Sequence, residues 1–270
     1  MKNTSSFLQF ALHIAREAGR IQMSYFGNIS EVEKKSTNID LLTKADLESE
    51  KYIIDHIRKE FPKHSILSEE SGKLSTKSKY LWVIDPLDGT TNFAHNLPIF
   101  SISIGLVDRD IGTICAVVYN PAADKCFYAE KNKGAFLNEK AIKCTSSKAL
   151  SDSLLATGFP YEHNREYDML FDIFKDFYDQ TRGLRRLGAA SLDLCFVAMG
   201  RFDGFYEYGL KFWDICAGVL IVEEAGGVAT DWDGVNKIPS DSSRVLAANK
   251  YIHSDMSKVL MKKQYKLLIG

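Results

Sequence analysis

The stretch Trp82-Val-Ile-Asp-Pro-Leu-Asp-Gly-Thr-Thr-Asn92 constrains this chain more than any other. An apolar, strand-like run leads into two carboxylates, Asp85 and Asp88, which a turn separates. Gly89 permits a close approach of the backbone, and the N–H groups of Gly89 and Thr90 form an anion site if they open a short helix. Carboxylates at a strand end can share a hard cation such as Mg²⁺. Alone, the stretch fits such a site and ordinary turn and capping residues equally well, because Asp, Pro and Gly favour turns.

Apolar periodicity predicts the elements on either side of this stretch. Helices are predicted over 7–26, 43–60, 163–178, 189–199, 214–225 and 251–261. Strands are predicted over 66–67, 80–84, 100–107, 113–119, 126–130, 135–138, 154–157, 202–208 and 245–248. The pattern changes near residue 145, from consecutive strands to strands that alternate with helices. We therefore expect an α+β or α/β layered sandwich in two parts, 1–145 and 146–270, which form one structural unit around a shared site.

Composition argues against a nucleic-acid-binding, membrane-spanning or secreted protein. The formal net charge is −1, which gives no reason to expect nucleic acid or a membrane surface as the main partner. No apolar run approaches the roughly 20 residues that span a bilayer, and the first residues lack the apolar core of a secretory signal. The five cysteines include no CxxC pair, which favours reduced thiols in a cytoplasmic protein.

Two further acidic motifs accompany the first. Glu69 and Glu70 follow a short apolar run in Leu67-Ser-Glu-Glu-Ser-Gly72. Asp214 begins an almost wholly apolar helix in the segment 212–227, where it is either an N-cap or a metal ligand aimed into a site. A pair of adjacent acids is in general more often a solvated loop, so the three motifs carry weight only together.

Together, Glu69-Glu70, Asp85-Pro-Leu-Asp-Gly-Thr90 and Trp213-Asp214…Glu224-Ala-Gly-Gly227 resemble the inositol monophosphatase family of lithium-sensitive, metal-dependent phosphatases. The resemblance extends over nearly the whole chain. It implies an αβαβα layered sandwich, usually a homodimer, that uses Mg²⁺ to hydrolyse inositol monophosphate to inositol and phosphate. It also implies that water attacks the phosphate monoester directly.

The resemblance assigns roles to particular residues. The metal ligands would be Glu69, Asp85 and the Leu87 carbonyl for a first ion, and Asp85, Asp88 and Asp214 for a second; Glu69 would also reach a third, weakly bound ion through water. The catalytic residues would be Glu69 and Thr90, which orient and deprotonate the water, and Asp46, which contacts the third ion through water. The substrate contacts would be Asp88, Gly89, Thr90, Ala190, Glu207 and Asp214. Lys35, five residues before Asp40, is either near the site or a solvated loop residue.

Several alternatives stay open at this point. A covalent aspartyl mechanism of the haloacid dehalogenase type is disfavoured, because Pro86 occupies the position of its nucleophilic Asp. Fructose 1,6-bisphosphate, histidinol phosphate and 3′-phosphoadenosine nucleotides are substrates of related enzymes. The resemblance implies that a Glu seven residues before Asp214 binds ring hydroxyls, so Glu207 favours inositol phosphate over these esters. A carboxylate suits this task because it accepts hydrogen bonds from a polyol. Ser68 stands where the family usually has a Gly before its two acids.

A non-enzymatic function is a second alternative. The basic cluster Arg182-Gly-Leu-Arg-Arg186 is compatible with a regulatory protein that binds RNA or an acidic protein on the same fold.

Overall fold

The structure is a computed structural model that describes residues 4–28, 32–34, 41–160, 166–238 and 244–265 of the 270-residue chain. The α-helices of these ranges are α1 (Ser6–Tyr25), α2 (Lys44–Glu60), α3 (Thr90–Ala94), α4 (Tyr167–Tyr178), α5 (Ala190–Ala198), α6 (Phe212–Glu224) and α7 (His253–Leu260). The strands of the first half are β1 (Val32–Lys34), β2 (Leu41–Thr43), β3 (Ser65–Ser68), β4 (Gly72–Leu74), β5 (Tyr80–Asp88), β6 (Ser101–Asp108), β7 (Gly112–Asn120), β8 (Lys125–Glu130), β9 (Ala135–Leu137) and β10 (Lys140–Ala141). Those of the second half are β11 (Leu154–Thr157), β12 (Gly183–Arg185), β13 (Gly204–Tyr208), β14 (Gly227–Thr230) and β15 (Arg244–Asn249).

Two large sheets organise these elements. The first has eight strands in the order β10-β9-β8-β7-β6-β5-β3-β4, and the second has five in the order β12-β11-β13-β15-β14. Most neighbours in the first sheet are antiparallel, but β3 and β5 run parallel. The strands β1 and β2 form a separate antiparallel pair. Each large sheet draws its strands from one half of the chain, and the proposed division at residue 145 stays a prediction.

Three apolar cores define five layers. One core joins α1 and α2 to the outer face of the first sheet. A second joins the inner faces of both sheets to α5 and α6, and a third joins the second sheet to α4 and α7. The order of layers is therefore helix, sheet, helix, sheet, helix, which confirms the predicted αβαβα sandwich.

Local sequence explains the helices that matter for the site. The hydroxyl of Ser5 accepts a hydrogen bond from the Leu8 N–H at 3.2 Å and caps α1. Asp46 accepts hydrogen bonds from both the N–H and the hydroxyl of Thr43, which forms a capping box at the start of α2. The helix α6 is apolar on nearly every side because it lies between two sheets.

Most predicted elements are present, with ends shifted by a few residues. The sequence does not predict the strands β1, β2, β4, β10, β12 and β14; each has four residues or fewer, too few for a periodic pattern. Asp214 was expected to begin its helix, but it is the third residue of α6. It caps the helix from inside the first turn by accepting a hydrogen bond from the Lys211 N–H at 2.6 Å.

Two predicted features fall wholly or partly outside the described residues. Lys35 and Asp40 both lie outside them, as do the first residues of the helix expected from 163. No helix in the described ranges is long and apolar enough to cross a membrane.

Candidate active site

An open cleft lies where β3 and β5 end and where α3, α5 and α6 begin. It has about 670 Å³ of empty space, including its mouth. Its lining contains nine residues that the sequence singled out: Glu69, Asp85, Leu87, Asp88, Gly89, Thr90, Ala190, Glu207 and Asp214. It also contains five that the sequence did not single out as site residues: Gly158, Phe159, Arg186, Gly188 and Leu210. The tertiary structure thus brings residues from 69 to 214 to one surface.

Strand register brings Glu69 to Asp85. The strands β3 and β5 are parallel, with Ser68 paired to Ile84. The N–H of Glu69 continues this pairing by donating to the Ile84 carbonyl at 3.2 Å. The next residue on β5 is Asp85, so both carboxylates leave the same sheet edge side by side.

The turn from Asp85 to Asp88 is stabilised by a hydrogen bond within it and by another from α1. The N–H of Leu87 donates to Asp85 Oδ1 at 3.0 Å, and the register with β6 shifts between Asp85 and Asp88. From α1, the fully buried Gln22 donates its Nε2 to the Pro86 carbonyl at 2.6 Å. The turn therefore presents both carboxylates and the Leu87 carbonyl from one short, well-supported loop.

The start of α5 holds Asp88. The N–H of Ser191 donates to Asp88 Oδ2 at 2.8 Å, and the Ser191 hydroxyl donates to the same oxygen. The N–H of Ala190 donates to Asp88 Oδ1 at 3.2 Å. Ala190, expected only as a substrate contact, therefore also binds Asp88 through its backbone. A negative charge at the first turn of a helix is favourable because the first N–H groups have no partner within the helix.

The start of α6 places Asp214 opposite the turn. Asp85 is paired with Ser103 on β6, and the Ser103 hydroxyl donates to the Trp213 carbonyl at 3.4 Å. Because Asp214 is the next residue, this contact sets its carboxylate across the cleft from Asp85.

Gly89 and Thr90 form the floor of the cleft. Gly89 has φ of +92°, and a Cβ at this position would lie 2.9 Å from the Ile99 carbonyl, so no other residue fits without strain. The Thr90 hydroxyl lies 3.1 Å from both Asp46 Oδ1 and the Leu87 carbonyl. Asp46 is fully buried beneath Thr90 and does not itself line the cleft.

Glu207 forms the far wall. Its carboxylate lies directly against Gly158, where any side chain would overlap it. Burial raises the pKa of Glu207 to about 8, and the positive charge of Arg186 offsets part of that effect. Glu207 and Asp214 are half-buried, because both line the cleft.

The clustered carboxylates repel one another in a site that is partly shielded from water. Burial, and then the neighbouring charge of Glu69, raises the pKa of Asp85 well above its usual range. Burial raises the pKa of Asp214 in the same way, although its bond from Lys211 opposes the shift. Burial raises the pKa of Asp88 to about 6, and the bonds from Ser191 limit that rise. Negative charge of this density is stable only with protons or cations beside it.

The donor atoms suit a hard cation. Carboxylate oxygens and one carbonyl face the cleft, and its lining, as far as the structure describes it, includes no His or Cys. Such an all-oxygen set fits Mg²⁺ rather than zinc or copper. Within the described ranges, no three His, Cys, Asp or Glu side chains are grouped as a complete metal site. The cleft therefore offers oxygen donors of the kind that a hard cation prefers.

Some supporting residues escaped the sequence analysis. Gln22, Glu50 and Ser191 donate or accept hydrogen bonds that stabilise the acidic loops. Asp193 is buried nearby, and its burial, together with the charges of Glu207 and Asp88, raises its pKa. A polar residue on an otherwise apolar helix face is a local signal for Gln22 and Asp193, whereas Glu50 and Ser191 give no such signal in the sequence.

Comparisons with known proteins agree with this geometry. The model of the inositol monophosphatase family matches residues 3–267. The chain belongs to the inositol monophosphatase family. It is 40% identical over 256 residues to an inositol-1-monophosphatase of Synechocystis sp., covering 94% of this chain and 88% of that protein.

Two further proteins are similar over nearly the whole chain. A protein of Neisseria meningitidis named putative Nus factor SuhB is 41% identical over 256 residues, covering 94% of this chain and 97% of that one. The crystal structure of the extragenic suppressor protein suhB from Bartonella henselae superposes with a TM-score of 0.91 at 35% identity, covering 96% of this chain and all of that one. Membership in this family makes the chain a phosphatase.

Proposed function

We propose that this chain is a Mg²⁺-dependent phosphomonoesterase that hydrolyses inositol monophosphate to inositol and phosphate. The observation that carries the proposal is the meeting of Glu69, Asp85, Asp88 and Asp214 around one cleft. Burial raises the pKa of the three Asp carboxyls, and repulsion among the clustered carboxylates adds to that rise. Bound cations would offset both the burial and the repulsion of these negative charges. The family of this chain is generally metal-dependent.

Particular residues would hold the ions. Glu69, Asp85 and the Leu87 carbonyl would hold one Mg²⁺, and Asp85, Asp88 and Asp214 a second, with Glu69 also reaching a third through water. When bound, these ions supply positive charge that neutralises the phosphate dianion and acidifies water. The protein's own contribution is to fix the carboxylates in place, through the strand register of Glu69 and the α5 contacts of Asp88.

Thr90 and Asp46 would prepare the attacking water. The Thr90 hydroxyl has one proton, and Asp46 Oδ1 at 3.1 Å accepts it. The Thr90 oxygen is then an acceptor towards the cleft, where it orients a water molecule and receives its hydrogen bond. Glu69 would take the proton of that water, and the N–H groups of Gly89 and Thr90 would bind the phosphate oxygens.

Glu207 would select the alcohol. Glu207 lines the same cleft as the acidic turn, where it would contact the alcohol esterified to the phosphate. Hydroxyl groups of a polyol donate to such a carboxylate, and Arg186 beside it keeps part of its negative charge available. This arrangement supports inositol monophosphate over an ester without ring hydroxyls.

A phosphate-release panel tests the proposal. Inositol 1-phosphate, fructose 1,6-bisphosphate, histidinol phosphate and a 3′-phosphoadenosine nucleotide are each assayed with Mg²⁺, with and without Li⁺. We expect the highest kcat/KM for inositol 1-phosphate and inhibition by Li⁺. A preference for another ester would refute the choice of substrate, and turnover that EDTA leaves unchanged would refute the metal mechanism.

A second candidate function follows from a relative's name. The Neisseria meningitidis relative is named a putative Nus factor, so this chain is also a candidate for that role. All three arginines of the basic cluster predicted for such a role are exposed, although Arg182 pairs with Asp152 at 2.8 Å and Arg186 lines the cleft. Cells that carry only an Asp88→Asn chain separate the roles, because a function that survives this change does not need phosphate release. The homodimer and the cytoplasmic location expected from the sequence stay predictions.

A further inference from the structure

A buried carboxylate that none of the roles above uses lies directly behind Glu69. Glu50 is on α2 and is 3% exposed. Its Oε1 accepts hydrogen bonds from the N–H of Glu70 at 3.1 Å, from the N–H of Ser71 at 3.0 Å and from the hydroxyl of Ser68. Its Oε2 accepts a hydrogen bond from the Ser71 hydroxyl. One side chain thus binds the residues on both sides of Glu69.

The bonded segment is a tight turn. Ser68 and Gly72 pair across the antiparallel strands β3 and β4, so residues 69–71 form the whole connection between them. This turn is only partly buried, yet its backbone N–H groups find partners within the protein, and Glu50 supplies the partner for two of the three. The third, that of Glu69, donates to the Ile84 carbonyl at 3.2 Å. The backbone of the turn is therefore bound on one side by the sheet and on the other by Glu50.

The position of Glu50 on its helix repeats that of Asp46. The two residues are four apart on α2, so they lie one turn apart on the same buried face. Asp46 holds the hydroxyl of Thr90, and Glu50 holds the turn that carries Glu69. One helix thus supports both residues that are proposed to orient and deprotonate the water. Ser68, which replaces a usual Gly, contributes a hydroxyl to this support.

We propose that Glu50 is a positioning residue that sets the carboxylate of Glu69 in the geometry needed to bind a divalent cation. The inference rests on the proposed function, because Glu69 is there a ligand of that cation. Glu50 acts through its four hydrogen bonds and not through its charge, so a side chain of equal shape can replace it. Gln keeps the shape: its oxygen can accept the three bonds of Oε1, and its NH₂ can donate to the Ser71 hydroxyl.

The test compares Glu50→Ala, Glu50→Gln and the control Glu60→Ala, which removes an exposed Glu from the end of the same helix. Hydrogen exchange of the Glu70 and Ser71 amides reports the turn, and Mn²⁺ binding by electron paramagnetic resonance reports the cation. We expect faster exchange and Mn²⁺ binding weaker by about 10- to 100-fold in Glu50→Ala, the usual cost of removing a group that orients a ligand. Glu50→Gln and Glu60→Ala should resemble the wild type in both readouts.

Two results would overturn the proposal. Wild-type Mn²⁺ affinity in a folded Glu50→Ala chain would show that Glu69 needs no such support. A Glu50→Gln chain as weak as Glu50→Ala would show that the charge of Glu50 acts instead of its bonds. If Glu50→Ala does not fold, the double variant Ser68→Ala with Ser71→Ala removes two bonds and leaves the backbone bonds in place. Unchanged Mn²⁺ affinity in that variant would also overturn the proposal.

The readouts separate this proposal from the proposed function. Amide exchange and Mn²⁺ binding do not require turnover. A wild-type chain that binds Mn²⁺ but releases no phosphate refutes the phosphatase assignment of the cleft. The role of Glu50 is then still decided by amide exchange and Mn²⁺ affinity in its variants. An active wild type with an unaffected Glu50→Ala variant refutes only the role of Glu50. A wild type that binds no Mn²⁺ refutes both.

Discussion

The backbone N–H of Ser191 lies 2.8 Å from Asp88 Oδ2, which joins two residues that are 103 positions apart in the chain. The hydroxyl of Ser191 also donates to that oxygen and itself lies 2.8 Å from the hydroxyl of Ser101 on β6. This chain of contacts connects the acidic turn of the first sheet to the first turn of α5. The cleft therefore depends on the packing of α5 between the sheets and not on the acidic turn alone.

Asp88→Asn should reduce kcat by about 100-fold or more while the protein stays folded, since a proposed ligand is lost and the shape is kept. The amide keeps one acceptor for the N–H of Ser191, so circular dichroism should match the wild type. Asp110→Asn, an exposed change after β6, is the matched control. Full activity of Asp88→Asn would rule out the proposed site.

Thr90→Val should reduce kcat by about 100-fold or more and change the Mg²⁺ concentration for half-maximal rate little, because the hydroxyl orients water and is not a proposed ligand. The neighbouring change Thr91→Val is the control for the effect of valine in this short helix. Steady-state rates over a Mg²⁺ titration make the measurement. A large shift in the Mg²⁺ midpoint with kcat unchanged would contradict the assigned role.

Glu207→Ala should raise KM for inositol 1-phosphate by about 10-fold, because the hydrogen bonds between the ring hydroxyls and the Glu207 carboxyl are lost. The KM for p-nitrophenyl phosphate, which has no ring hydroxyls, should change far less. The ratio of the two effects is the diagnostic quantity, because it cancels any general damage to the cleft. Equal losses on both esters would remove Glu207 from substrate selection.

Glu207 also predicts how stability depends on pH in the metal-free protein. Burial raises its pKa from 4.5 to about 8 in the folded state, so its contribution is complete below pH 4.5 and is lost as the pH rises through 8. Glu207→Gln cannot ionise. It should match the wild-type melting temperature in EDTA at pH 5 and exceed it by a few degrees at pH 9. Glu60→Gln controls for surface charge, and a Glu207→Gln curve parallel to the wild type would contradict the shift.

Mg²⁺ should raise the melting temperature of the EDTA-treated wild type in proportion to the logarithm of its concentration, because the ions bind only the folded cluster. The effect should disappear in Asp85→Asn, which removes the carboxylate shared by both proposed ions. Differential scanning fluorimetry at constant ionic strength makes the measurement, with Na⁺ as the control for screening. An equal rise in wild type and variant would indicate binding elsewhere.

The sequence alone determined the layered fold and the identity of the acids. Apolar periodicity is a local property, so it predicted the long helices and most strands, and it failed at short elements such as α3, β12 and β14. The acidic motifs were recognisable because strand, turn and glycine follow one another within a few residues, as in the stretch from Asp85 to Thr90.

Only the tertiary structure decided which residues support those acids. The parallel register of β3 and β5 sets Glu69 beside Asp85, and no local pattern specifies register between strands separated by a loop. Glu50 and Ser191 look unremarkable in sequence, since a Glu in a helix and a Ser at a helix start are common on any surface. Their importance comes from burial against distant backbone groups, a property that exists only once the layers have packed.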